Sequence, residues 1–181
     1  FSSQSEDFFD DTHAFVTQEL GNPHFDMVLI RRTSADPAFF TPVNMKKYHR
    51  ATDLLQQQER LKATGLLEKI LAERAGVERS IIEQHYQKNP TMLGCQAGTL
   101  TMILSEEGDV RPCEILDIVL GNIRNTNYSL EPIWRSELAN QHRKDIAKSC
   151  FCTFETCVRT TMVFQPKWIL RTLKRGLYQL R

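Results

Sequence analysis

Apolar residues in the first stretch fall at helical spacing. Phe8, Phe9, Phe15, Val16 and Leu20 punctuate the segment from Ser5 to Leu20, and Gly21-Asn22-Pro23 follows as a glycine cap and turn. Met27-Val28-Leu29-Ile30 is then short and continuously apolar, closed by Arg31 and Arg32, the pattern of a parallel strand buried on both faces. After a loop with two prolines, Thr41-Pro42 offers a cap and a first-turn proline for a long helical region. Met45, Tyr48, Leu55, Leu66, Leu67, Ile70 and Leu71 give that region an apolar face. Gly76 is expected to break it, Glu78 to Tyr86 to resume it, and Asn89-Pro90 to stop it. Helix, strand and helices in this order predict the last elements of an α/β domain.

From Gly98 the period changes. Thr99 to Leu104 is roughly alternating and runs into Ser105-Glu106-Glu107-Gly108-Asp109, after which Val110-Arg111 can pair back, which predicts a β-hairpin. Glu131 to Ala147 is predicted helical, with Pro132 near its start and Ile133, Trp134, Leu138 and Ile146 on the apolar side. Pro166 opens a final helix through Leu180. Its apolar Ile169, Leu170, Leu173 and Leu177 are expected to pack on the domain. Arg159, Lys167, Arg171, Lys174, Arg175 and Arg181 follow Glu155 with no acidic residue among them. A solvated basic face is the ordinary account; contact with anionic lipid headgroups or an acidic partner is the alternative.

With 181 residues, 41% of them hydrophobic and 25% charged, the chain has a globular composition. A net charge of +1, from 23 basic and 22 acidic residues, lacks the footprint of a dedicated nucleic-acid binder. No apolar run approaches the roughly 20 residues that span a bilayer, and no leader pattern opens the chain, so the expected compartment is the cytoplasm. Position 1 is Phe and leads directly into a helical pattern, so the chain is expected to continue something upstream.

The five cysteines change the picture most. None precedes Cys95, and Cys150, Cys152 and Cys157 lie within eight residues. An odd, clustered set explains disulfide pairing poorly and suits metal binding or redox chemistry. Cys95 and Cys113 flank the hairpin, so its strands would bring both sulfurs to one end, and Cys150-Phe-Cys-Thr-Phe-Glu-Thr-Cys157 could supply the rest of a four-thiolate site. Four thiolates suit zinc or an iron–sulfur cluster. The bland account is five buried thiols. The 17 residues between Cys95 and Cys113 do not fit a zinc knuckle. Gly108 is predicted to be the positive-φ residue of the turn, and Pro112 to stiffen the loop at Cys113. His142, eight residues before Cys150, is either a ligand or proton donor or an ordinary satisfied histidine. His13, His24, His49 and His85 show no ligand spacing. Arg31 and Arg32 suit either carboxylate recognition or salt bridging at a strand end.

Cys95, twelve residues, Gly108, four residues and Cys113 resembles the opening motif of the SPASM and Twitch auxiliary-cluster domains of radical SAM enzymes. Gly94-Cys-Gln-Ala-Gly98, Gly108-Asp-Val-Arg-Pro-Cys113, Gly121-Asn-Ile-Arg124, Ile133-Trp134 and the Cys150–Cys157 run extend the resemblance over residues 94 to about 165. It implies an α/β chain in which residues 1–90 are the last βα elements of a partial (β/α) barrel. Residues 91–165 would be a small α+β auxiliary-cluster domain of β-hairpin plus helices, and residues 166–181 a basic amphipathic helix. It implies one auxiliary [4Fe–4S] cluster ligated by Cys95, Cys113 and two of Cys150, Cys152 and Cys157, as in the Twitch type, with one thiol left over. The cluster would serve electron transfer or substrate positioning, with an electron-donor protein as partner and a peptide, sugar, lipid or small metabolite as substrate. The Cys-x3-Cys-x2-Cys motif that binds the cleaving cluster is absent. S-adenosylmethionine is therefore expected only where an upstream barrel is present; this chain alone would not cleave it, and no residue takes a catalytic role. The rival reading is a non-catalytic, zinc-stabilised interaction module.

Overall fold

The computed structural model describes residues 1–22, 25–30, 42–87, 94–150 and 152–178. The chain opens with a 3-10 turn, Glu6–Phe8, continued by α1 (Phe9–Ala14) and a π-helical turn, Phe15–Glu19. Gly21 follows at φ +61°, the left-handed conformation that a glycine stop supplies. Residues 25–30 form no strand, and the expectation of burial on both faces is corrected. Leu29 is buried while Val28 is exposed, so only one face is covered. Among the described residues, the segment's main-chain pairing is with Phe1. The Phe1 amine donates to the Val28 carbonyl, and the Ile30 N–H donates to the Phe1 carbonyl at 2.8 Å. One residue bonding to positions on either side of Leu29 is the parallel type of exchange.

Two long helices follow. In α2 (Met45–Lys62) the cap is Asn44, not Thr41: its Oδ1 accepts from the N–H groups of Lys46 and Lys47 at 3.1 and 3.4 Å. The chain breaks at residues 63–65, and Glu68 closes the start of α3 (Leu66–Tyr86) by accepting from the N–H of Thr64 and Gly65. Gly76 does not interrupt α3. A Cβ there would stand 2.6 Å from Oε1 of Gln56, so its missing side chain serves the approach of α2, and packing overrides its low helix propensity. Asn89-Pro90, like Arg31 and Arg32, lies outside the described residues.

The hairpin forms as expected, though shorter. β1 (Ile103–Leu104) pairs antiparallel with β2 (Asp109–Arg111), Leu104 opposite Val110. Gly108 closes the turn at φ +90°. A third strand, β3 (Gly121–Asn122), adds to the far edge of β2 and was not legible in the alternation. The helix expected over residues 131–147 is two: α4 (Glu131–Trp134) and α5 (Glu137–Ser149), divided where Ser136 caps α5 by accepting from the Ala139 N–H at 3.1 Å. α6 (Glu155–Val163) and α7 (Pro166–Tyr178) complete the chain. The described residues are mainly helical, with one small three-stranded antiparallel sheet among them.

The main core joins both ends of the sequence. Val77, Ile81 and Ile82 of α3 pack with Val158 and Met162 of α6 and Trp168 of α7. Glu78 of α3 is almost fully buried and is gripped by Arg159 of α6 through three contacts of 3.0 to 3.2 Å. α7 packs through Trp168, Thr172 and Gly176, one residue per helical turn. A Cβ on Gly176 would lie 2.7 Å from Ile70 of α3, which sets how closely the helices cross. The expectation for its leucines is corrected: Leu170 and Leu177 are more than half exposed, and Ile169 and Leu173 more than a third. The small residues at 172 and 176 permit the close approach, so the leucine stripe is turned out. No helix among the described residues is long and apolar enough to cross a membrane.

Candidate metal centre

Three separate segments deliver the cysteines to one place. Cys95 follows Gly94, where a Cβ would stand 3.0 Å from the Ala147 carbonyl of α5, so the chain enters pressed against that helix end. Cys113 leaves β2 behind the fully buried Pro112. Cys150 caps the C-terminus of α5, its N–H bonded to the Ile146 carbonyl at 3.0 Å, and Cys157 lies in the first turn of α6. Cys95, Cys113 and Cys157 are buried, and Cys150 and Cys152 partly so; all five are free thiols packed in one apolar cluster with Ala97, Ile146 and Phe154.

The loops are held by residues that the spacing did not single out. Gly98, at φ +76°, bonds the Thr101 carbonyl through its N–H at 2.8 Å. Arg143 of α5 reaches across to donate to the Gly98 carbonyl at 2.6 Å and to the Trp134 carbonyl at 2.5 Å, its guanidinium 4.8 Å from the Trp134 ring centre. Thr161 of α6 accepts from the Gln96 N–H at 3.1 Å, and Thr153 donates to the Ile30 carbonyl at 3.0 Å. Main-chain N–H groups point at three of the sulfurs: Ala97 at Cys95 (3.5 Å), Leu116 at Cys113 (3.4 Å), and Phe154 at Cys152.

Cys95 accepts hydrogen bonds from the thiols of Cys150 and Cys157. These two bonds, in that order, bring its pKa down to about 3 against the opposing effect of burial, with the Ala97 N–H and the nearby His85 adding to them. The same bonds, and then burial, push the Cys150 and Cys157 thiols up, and burial foremost pushes Cys152 up to about 11. Among the described residues, no group of three or more His, Cys, Asp or Glu side chains is arranged to hold a metal ion. Cys95, Cys150, Cys152 and Cys157, but not Cys113, line with His85, Val158 and Thr161 a space of about 10 Å³.

His85 is the residue that the sequence analysis set aside for want of ligand spacing. It lies on the last turn of α3, is 3% exposed, and borders this cavity. Only its distance from the cysteines in sequence concealed it. The other histidines are placed elsewhere. His13 bonds Gln58 at 3.1 Å, His49 bonds Glu83 at 2.7 Å, His142 is half-buried on α5 away from the lining, and His24 lies outside the described residues.

Residues 95–158 match the family model of an iron–sulfur cluster-binding domain, SPASM. The match spans about a third of the chain and contains all five cysteines. No curated protein and no solved structure matches the chain. The donor set fits such a group in kind: soft thiols in an apolar shell, with backbone N–H groups directed at sulfur, are what iron–sulfur clusters take as ligands and what tunes them.

Proposed function

We propose that residues 91–165 hold one auxiliary [4Fe–4S] cluster in the C-terminal part of a radical SAM enzyme. Cys95, Cys113, Cys150 and Cys157 would be the ligands. The observation that carries this is the convergence of thiols from three segments within the stretch that matches the SPASM domain. We assign the remaining two ligands to Cys150 and Cys157, whose thiols bear most strongly on Cys95, and leave Cys152 as the spare thiol.

When bound, the cluster supplies a one-electron relay or a surface that positions substrate. The chain's own part is to hold it. The apolar shell of Ile146, Phe154, Ile115 and Leu116 excludes water, and the N–H groups of Ala97 and Leu116 hydrogen-bond the sulfurs of Cys95 and Cys113. Loading requires the protonated thiols to give up their protons. The parallel exchange between Phe1 and the residues beside Leu29 supports reading residues 1–90 as βα elements of a partial barrel. Under this reading the chain alone does not cleave S-adenosylmethionine, since no Cys-x3-Cys-x2-Cys occurs in it.

Iron, acid-labile sulfide and zinc are to be measured after anaerobic reconstitution. About four irons and four sulfides per chain is the expected result; stoichiometric zinc without sulfide would replace the proposal with a zinc-stabilised interaction module. A gene whose upstream reading frame lacks the Cys-x3-Cys-x2-Cys segment would overturn the radical SAM context.

A further inference from the structure

We infer that His85 is a positioning residue of the cluster site, acting from outside the domain that carries the cysteines; the inference rests on the proposed cluster reading. Its Nδ1 lies 2.8 Å from the Cys152 carbonyl oxygen, an atom that can only accept, so the Nδ1 proton is on the ring and donated to that carbonyl. The bond grips the backbone between Cys150 and Cys157. Burying an imidazole at 3% exposure costs desolvation that a phenylalanine or leucine would not incur, so filling space does not account for a histidine here.

The position explains what the bond achieves. Cys150 follows α5 and Cys157 opens α6, so the segment joining them must hold its course for both thiols to face Cys95. Phe154 of this segment packs in the thiol cluster, and Thr153 donates to the Ile30 carbonyl at 3.0 Å. From α3 it receives His85, and the same helix anchors α6 through Glu78 and Arg159. His85 precedes residue 95, where the match begins. The loop bearing two proposed ligands is therefore clamped by a helix of the other part of the chain, as second-shell donors clamp the ligands of metal sites.

The test compares His85→Phe, which keeps the ring and loses the donor, with His85→Asn, whose side-chain N–H can replace it. Both are made in the full chain and reconstituted anaerobically with iron and sulfide. The readouts are iron and sulfide content, the EPR spectrum of the reduced cluster, and the rate of iron transfer to a ferrous chelator. His85→Phe is expected to lose iron about tenfold faster, the effect of one lost buried hydrogen bond, with an altered EPR spectrum, and His85→Asn to stay within about twofold of the parent. Equal rates and spectra in all three proteins would overturn the inference, as would equal acceleration in both variants, which would mark a steric role. Should His85→Phe not fold, His85→Leu takes its place in the comparison. A parent chain that takes up no iron and sulfide overturns the cluster reading itself and the inference with it, whereas a loaded parent with indifferent variants overturns only the role of His85.

Discussion

Replacing Arg159 by Met removes the partner of Glu78 while keeping most of the aliphatic stem. The Glu78 carboxylate is 5% exposed and takes contacts of 3.0, 3.0 and 3.2 Å from the guanidinium, whose own side chain is 46% exposed. Stranding one partner of a fully buried pair costs about 3–5 kcal/mol, and losing a surface pair about 0–1 kcal/mol. Here one partner is buried and the other half in water, so the expected loss for Arg159→Met is about 2 kcal/mol. Glu78→Gln keeps an acceptor and removes the charge, and is expected to cost about 1 kcal/mol. In the double variant Glu78→Gln with Arg159→Met neither charge remains, so the combined loss should fall short of the sum of the singles by about 1 kcal/mol or more. Urea unfolding followed by far-UV circular dichroism and by tryptophan fluorescence measures all of these, since Trp168, one of the two tryptophans, is buried in the core that α3, α6 and α7 share. A loss below 0.5 kcal/mol for Arg159→Met, or strict additivity in the double variant, would refute the argument that this pair ties α6 to α3.

Trp168→Ala is expected to cost about 3–5 kcal/mol, whereas Leu170→Asp should stay within about 0.5 kcal/mol, because α7 packs through Trp168 and leaves Leu170 exposed; comparable losses in urea unfolding would reverse the assignment of its faces. Gly108→Ala should lower stability by about 1–3 kcal/mol, measured by thermal unfolding, since the residue sits at φ +90° and the new Cβ would stand 2.9 Å from the Asn122 oxygen that accepts from the Arg124 N–H. Iron uptake should tighten as pH rises from 6.5 to 8.5. The raised pKa values of Cys150 and Cys157 leave these ligands protonated over that range, so uptake releases protons and higher pH favours the loaded state. Chelator competition at several pH values checks this, and a pH-independent affinity would refute the proton inventory.

Local chemistry made some of these features legible in the sequence. Gly21 and Gly108 take the positive φ that their turns demand, and the alternation before Ser105 does fold into a hairpin with Val110-Arg111. Features set by distant partners were hidden. Gly76 reads as a breaker until Gln56 is seen beside it, and the leucine stripe of α7 reads as the packed face until Thr172 and Gly176 are seen against α3. α6 escaped notice because Glu155–Val163 is rich in β-branched threonine and valine, weak helix formers held here by the burial of Val158, Thr161 and Met162. The same division runs through the site. The cysteines announce themselves by type and clustering, but nothing in their spacing shows that Cys95 meets Cys150 and Cys157, or that His85 and Arg143 steady the loops.

The central claim, one cluster held by four thiolates, is tested most directly by iron and sulfide content in five variants, each with a single cysteine changed to alanine and each reconstituted anaerobically. About four irons and four sulfides should survive in Cys152→Ala and be lost from Cys95→Ala, Cys113→Ala, Cys150→Ala and Cys157→Ala. Full content in Cys95→Ala or Cys113→Ala, or zinc without sulfide throughout, would contradict it.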